Sequence, residues 1–70
     1  MKRRQVIKRL EAVARAKGIE IRVYELSRHT GFSVGPIRST LARHSEIDDV
    51  TARKFFAQFE SALGKGWWRK

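Results

Sequence analysis

His29 and His44 are the only side chains among the 70 residues whose ordinary pKa lies near neutrality. Each follows an arginine, Arg28 and Arg43. An imidazole with a pKa near 6.5 can carry a proton, and a neighbouring guanidinium can hold a charged phosphate. His29 is either a proton-transfer group or an exposed strand histidine without a chemical role, and the residues alone leave both open. The chain has no cysteine, which excludes a disulfide framework, a thiol nucleophile and any zinc site that needs sulfur. The acidic pair Asp48-Asp49 reads as a helix cap with favourable dipole charge rather than as a metal site. No metal and no other cofactor is expected.

Sixteen Lys and Arg against seven Asp and Glu give a net charge of +9. Such a charge points to a polyanionic partner, most economically nucleic acid; the plain alternative is a soluble basic protein. The charge is uneven. Residues 1–17 carry Lys2, Arg3, Arg4, Lys8, Arg9, Arg15 and Lys17 against Glu11 alone, whereas residues 18–63 balance to zero and 64–70 add Lys65, Arg69 and Lys70. The chain is long enough for one small domain over residues 1–70, since chains of this size bury only about 60% of their unfolded surface. No apolar run approaches the roughly 18 residues of a membrane span. The basic start Met1-Lys2-Arg3-Arg4 leads into no signal-peptide apolar segment. A cytoplasmic protein without a membrane partner is expected.

The elements that must position these groups follow from periodicity. Val6, Ile7, Leu10, Val13 and Ala14 have the spacing of an amphipathic helix over about residues 3–17, with Gly18 at its C-terminal end. Ile19, Ile21 and Val23 alternate with Glu20, Arg22 and Tyr24, which predicts a half-buried strand. Asp48 or Asp49 caps a second helix running to about Leu63, with Val50, Phe55, Phe56, Phe59, Ala62 and Leu63 as its apolar stripe. Gly64 ends it.

Residues 26–44 admit two readings. In one they form a β-hairpin turning at Gly35-Pro36. A turn centred between Pro36 and Ile37 pairs Phe32 with Leu41, Val34 with Ser39 and His29 with His44. Phe32, Val34, Ile37 and Leu41 then share an apolar face, and His29, Ser33, Arg38 and Thr40 a polar one. The product is an α+β domain of order α-β-β-β-α, with both helices on the apolar side of a three-stranded antiparallel sheet. In the other reading, Leu26, the cluster Thr30-Gly31-Phe32-Ser33, Ile37 and Leu41 approximate a helix-turn-helix, with Pro36 in the first turn of its second helix.

Several segments in order resemble HicA toxins. The run Met1-Lys2-Arg3-Arg4-Gln5-Val6-Ile7 is similar to the opening of their first helix, and Arg28-His29 followed by Phe32 resembles their His-x-x-aromatic pattern on the second strand. Arg43-His44-Ser45-Glu46-Ile47 resembles their exit from the sheet, and Gly64-Lys65-Gly66-Trp67-Trp68-Arg69 the tail of some members. The chain departs from the family at Ser27-Arg28, where a glycine and a small residue usually stand, and at Ala42, usually proline. The resemblance favours the hairpin reading. It implies a fold similar to double-stranded-RNA-binding domains, and an mRNA-cleaving toxin held inactive by a HicB-like antitoxin.

The chemistry of RNA agrees with that implication. RNA carries its own nucleophile in the 2′-hydroxyl, so cleavage needs only proton transfer and stabilisation of the phosphate. A metal-independent endoribonuclease is expected. The resemblance assigns His29 as the catalytic acid or base. His44, opposite it in the expected register, is structural or supporting. Lys2, Arg3, Arg4 and Lys8 on the first helix, with Arg28 and Arg38 near His29, are the candidate RNA contacts. Trp67 and Trp68 either stack on bases or enlarge the core, with packing expected for at least one. The other functions considered are a DNA-binding helix-turn-helix regulator and a catalytically inert RNA-binding module.

Overall fold

A computed structural model describes residues 1–69; Lys70, one of the three C-terminal cations, lies outside the described residues. The elements are α1 (Arg3–Ala16), β1 (Ile21–Glu25), β2 (His29–Val34), β3 (Ile37–Ala42), α2 (Asp49–Ala57) and the short α3 (Glu60–Leu63). The three strands form one antiparallel sheet in the order β1-β2-β3. The domain is a small α+β fold, and its middle is a hairpin rather than a helix-turn-helix. Among the described residues no helix is long and apolar enough to cross a membrane.

Helix α1 buries Val6, Leu10 and Ala14, one residue per turn on a single stripe. Gly18, at φ +69°, ends it. The Gly18 amide donates to the Arg15 carbonyl and the Ile19 amide to that of Ala14, the paired bonds that close a helix over a left-handed glycine. At its other end the chain is clasped to the segment before α2. Met1 and Ile47 exchange two hydrogen bonds of 2.8 Å, the Arg3 amide donates to the Ser45 carbonyl at 3.0 Å, and the Lys2 ammonium stands 3.2 Å from the Glu46 carboxylate.

The strands expose one face and bury the other. Phe32, Val34 and Leu41 enter a single core with α1 and with Phe55, Phe56, Phe59 and Leu63. Both longer helices therefore cover the same side of the sheet. The β2–β3 register departs from the sequence expectation: His29 pairs with Ala42, Phe32 with Ser39 and Val34 with Ile37. The turn is the two-residue Gly35-Pro36, with Gly35 at φ +58° in the position where tight hairpins favour glycine. Moving its centre by one residue shifts every partner by two, and side chains alternate with a period of two, so the faces stand as expected while the pairs do not.

The second helix is capped by Asp48, which accepts from the Thr51 amide at 3.2 Å and the Thr51 hydroxyl at 2.6 Å. It does not run unbroken to Leu63. The Phe56 carbonyl, which a continuing helix would offer to Glu60, accepts instead from the Phe59 amide at 3.0 Å and the Trp67 indole at 2.8 Å. The chain tightens there and restarts as α3. Val50, expected in the apolar stripe, is 50% exposed at the first turn, ahead of the part of α2 that meets the core. Trp67 is 8% exposed and packs edge-on to Phe56, which meets the expectation that one tryptophan serves the core.

Removing a fully buried phenylalanine costs about 3–5 kcal/mol, against a total of roughly 4–10 kcal/mol for a chain of this length. Phe59 is fully buried and meets Phe55 edge-on at 5.2 Å. Phe59→Ala is expected to lower the urea midpoint by about a third or more; a shift below a tenth would show that this ring is not central to the core.

Acid should also loosen the domain. The Lys2 ammonium on Glu46 and the Thr51 hydroxyl on Asp48 hold both carboxyls below their ordinary range. A carboxyl lowered in the folded state stabilises above its unfolded pKa of about 4, and that contribution is lost as pH falls through the folded value. The urea midpoint should therefore drop below about pH 4, and Glu46→Gln with Asp48→Asn should flatten the drop. Acid sensitivity undiminished in the double variant would place the loss in other groups.

Candidate functional site

The face of the sheet that the helices leave bare carries three cross-strand rows. Arg22, Ser33 and Arg38 form the row nearest the Gly35-Pro36 turn; Tyr24, Gly31 and Thr40 form the next; His29 and Ala42 close the ladder. His29, Arg38, Thr40, Tyr24 and Arg22 are exposed. The ring of Tyr24 lies over Gly31, and a Cβ at Gly31 would overlap it. Glycine therefore lets an aromatic ring rest against the sheet in the row beside His29. Sequence reading used Tyr24 only as a polar alternation. Its signal is the glycine in the middle strand, which reveals a function only once the β1–β2 register sets the two residues opposite each other.

His29 stands at the first position of β2, directly after the tight loop Leu26–Arg28. The Leu26 amide donates to the His29 carbonyl at 2.8 Å. Arg43, just past β3, holds this loop from the neighbouring strand. Its guanidinium donates to the carbonyls of Leu26, Ser27 (3.4 Å) and His29 (3.1 Å), and pairs with Glu25 at 2.7 Å. Glu25 also accepts from the Thr30 hydroxyl at 3.2 Å, and Thr30 in turn accepts from Arg3. Thr30 is only 1% exposed. Its hydroxyl sits on the core side of the sheet, where an unpartnered polar group would be costly, and Arg3 and Glu25 supply the partners. Arg43 is thus a positioning residue for the imidazole.

The expected site residues separate into those brought to His29 and those kept away. Arg28 is adjacent and exposed in the loop. Arg38 pairs with Ser33, four residues along β2 from His29, or about 13 Å at the usual strand rise; it lies at the far end of the bare face rather than beside His29. His44 lies two residues beyond the last ladder pair, so it is not opposite His29 as the expected register had it. The tight Gly35-Pro36 turn puts Ala42 there instead. Arg3 spends its guanidinium on the Thr30 hydroxyl and, at 3.3 Å, on the Ala42 carbonyl, and Lys2 is paired with Glu46. Arg4 and Lys8 are exposed on α1. Arg3, Arg4 and Arg43 line a shallow hollow with Lys2 and Ser45 where α1 begins, so one end of the first helix presents cations beside the segment that follows β3.

Compared with known proteins, the chain matches no family model, no curated protein and no solved structure. The reading of this site rests on its own geometry: a solvent-facing imidazole on a held loop, an adjoining arginine, an aromatic ring one row away and a second exposed arginine further along.

The clamp has a measurable signature. Arg43→Ala removes the carbonyl contacts of the 26–29 loop and the ion pair to Glu25, and leaves the buried side chains of α1 untouched. Amide exchange at Leu26 is expected to accelerate about tenfold or more, with exchange at Leu10 and Ala14 shifted much less. Equal acceleration at all three would mean that Arg43 supports the whole fold rather than this loop.

Proposed function

We propose that this chain is a HicA-like toxin: a metal-independent endoribonuclease that acts on mRNA in the cytoplasm through His29 and is silenced by a HicB-like antitoxin. The observation that carries the proposal is the exposure of the His29 imidazole on the one uncovered face of the sheet, on a loop that Arg43 holds by three backbone carbonyls. The order of one helix, three antiparallel strands and a closing helical region, with both longer helices on one side, supports a fold like that of double-stranded-RNA-binding domains.

The chemistry proceeds in one displacement. The His29 imidazole accepts the proton of a ribose 2′-hydroxyl, and that oxygen attacks the adjacent phosphorus. The bond from phosphorus to the 5′ oxygen breaks, leaving a 2′,3′-cyclic phosphate, and the imidazolium returns its proton through a water to the departing oxygen. Arg28 neutralises the charge that builds on the phosphate oxygens. Tyr24 offers its ring to a neighbouring base, and Arg38 meets the strand further along the sheet. An antitoxin surface rich in carboxylates, laid over the same face, would meet Arg28 and Arg38 and exclude RNA from His29. The second reading, an RNA-binding module that does not cleave, is favoured by one observation: the residue across the ladder from His29 is Ala42 rather than a second imidazole.

His29→Gln separates these readings. General acid–base groups contribute about 10²–10⁴ in rate, so the variant is expected to lose RNA cleavage by at least about a hundredfold and to relieve growth arrest, with the urea midpoint unchanged because the side chain lies outside the core. Undiminished toxicity or cleavage would remove His29 from the reaction.

A further inference from the structure

A second cationic surface lies across the sheet from His29, on the outer side of the helical layer. Between α1, α2 and the C-terminal turn is a hollow of about 400 Å³ lined by Arg9, Ala52, Arg53, Phe56, Trp68 and Arg69. At its floor the half-buried Trp68 stacks on Phe56, with centroids 5.9 Å apart and planes 29° from parallel. The Arg69 guanidinium rests over the indole, 5.4 Å from its centroid. Among the described residues, no carboxylate comes within ion-pair distance of Arg9, Arg53 or Arg69. The single carboxylate in the lining is Asp49, whose nearest cation is the Met1 ammonium at 4.0 Å. A second hollow, lined by Gln5, Lys8, Arg9 and Met1, continues the cationic surface along α1.

We propose that this hollow is a binding site for single-stranded RNA, in which Arg69 and Trp68 form a stacking platform for one unpaired base while Arg9, Arg53 and Lys8 hold the phosphates on either side. Guanidinium is planar and weakly hydrated, so it stacks on an indole with one face and on a base with the other, and its N–H fork matches phosphate oxygens. Stacking of this kind needs a base free of its partner strand, which sets the ligand class as single-stranded. An anionic membrane suits the surface less well. The large exposed apolar side chains, Val23, Tyr24, Leu26 and Val50, all lie outside the hollow, its own Ala52 and Phe56 are buried, and its one accessible aromatic, Trp68, lies under the Arg69 guanidinium, so the hollow offers a bilayer little apolar surface. The site rests on the proposed function only for the choice of RNA over other nucleic acids. Two faces that both bind RNA would let one strand wrap the domain, held by the helical layer while another stretch meets His29.

The test uses the full chain and a 2′-O-methylated oligoribonucleotide of about ten nucleotides, a length within the range of known single-strand sites. Lacking the 2′-hydroxyl, this probe cannot be consumed by the proposed cleavage. Titration is expected to quench tryptophan emission. Trp68→Ala should remove most of the quench, since Trp67 is buried, and weaken binding about fivefold or more through the loss of one stacked base. Arg9→Gln with Arg53→Gln, both exposed positions, should weaken binding about tenfold at low salt and reduce the slope of log affinity against log salt by about 1.4, the loss of two phosphate contacts on a single strand. An unchanged affinity and slope in a double variant with wild-type circular dichroism would overturn the site. So would a quench produced by phosphatidylserine vesicles and not by the oligonucleotide. Loss of affinity in this variant in a protein that never cleaves RNA would sink the proposed enzyme and leave the surface standing; cleavage with unaltered affinity would do the reverse.

Discussion

The contact between Phe32 and Phe55 fixes the layering of this domain. The two rings meet edge-on, 5.2 Å between centroids, at the middle of the central strand. Such a pair adds about 0.5–1.5 kcal/mol beyond the area it buries, but its main consequence is geometric. Once α2 sits on the Phe32 side, α1 has only that side on which to bury Val6, Leu10 and Ala14, because the other face offers Ser33, Thr40 and a glycine. One face is then closed and the other is left bare. His29, three residues before Phe32, falls on the bare face by the alternation of the strand alone. In this domain the placement of the candidate site is a by-product of core packing.

Core packing does not hold the loop that carries His29, and a polar network does that instead. Arg3, Thr30, Glu25 and Arg43 link the start of α1 to the buried edge of β2, the end of β1 and the chain beyond β3. An exposed ion pair such as Arg43–Glu25 contributes little by itself, about 0–1 kcal/mol. Its value lies in orientation, because the same guanidinium that meets the carboxylate also collects three loop carbonyls. A lysine could supply the charge but not that fork.

How much of this was legible in the sequence follows from which interactions are periodic. The amphipathic spacing of α1, the glycine that ends it, the Asp48 cap and the two faces of the hairpin all repeat at intervals that a reader can count. The two faces of the hairpin are legible even when its turn is placed one residue off, because a two-residue shift of partners preserves parity. The pairing of His29 with His44 was lost to that same shift. Arg43 was unreadable as a clamp, since its partners lie 14 to 18 residues away and three of them are backbone carbonyls. The break after Ala57 had no glycine or proline to announce it, and depends on an indole arriving from Trp67. The identity of Arg9, Arg53 and Trp68 as neighbours likewise exists only after the helices pack.

The carboxylates explain why so basic a chain can fold and still present charge. Glu20 is paired with Arg22, Glu25 with Arg43, and Glu46 with Lys2 and the Met1 ammonium. Asp48 caps α2, and Glu60 accepts from the Gly66 amide at 2.7 Å. Most of the seven acidic groups thus serve joints of the structure: the N-terminus, the loop before β2, a helix start and the final turn. Within residues 18–63 only Arg22 and Arg43 are paired with carboxylates of the same segment, so its zero net charge still leaves exposed cations on the surface. The cations left over, Lys8, Arg9, Arg28, Arg38 and Arg53 among them, have no such internal partner among the described residues and lie on both faces. Holding them together without a polyanion costs self-repulsion that screening only partly relieves. A polyanion laid on either face would relieve it, so the same arithmetic that frees these cations from the fold favours a polyanionic partner for the domain.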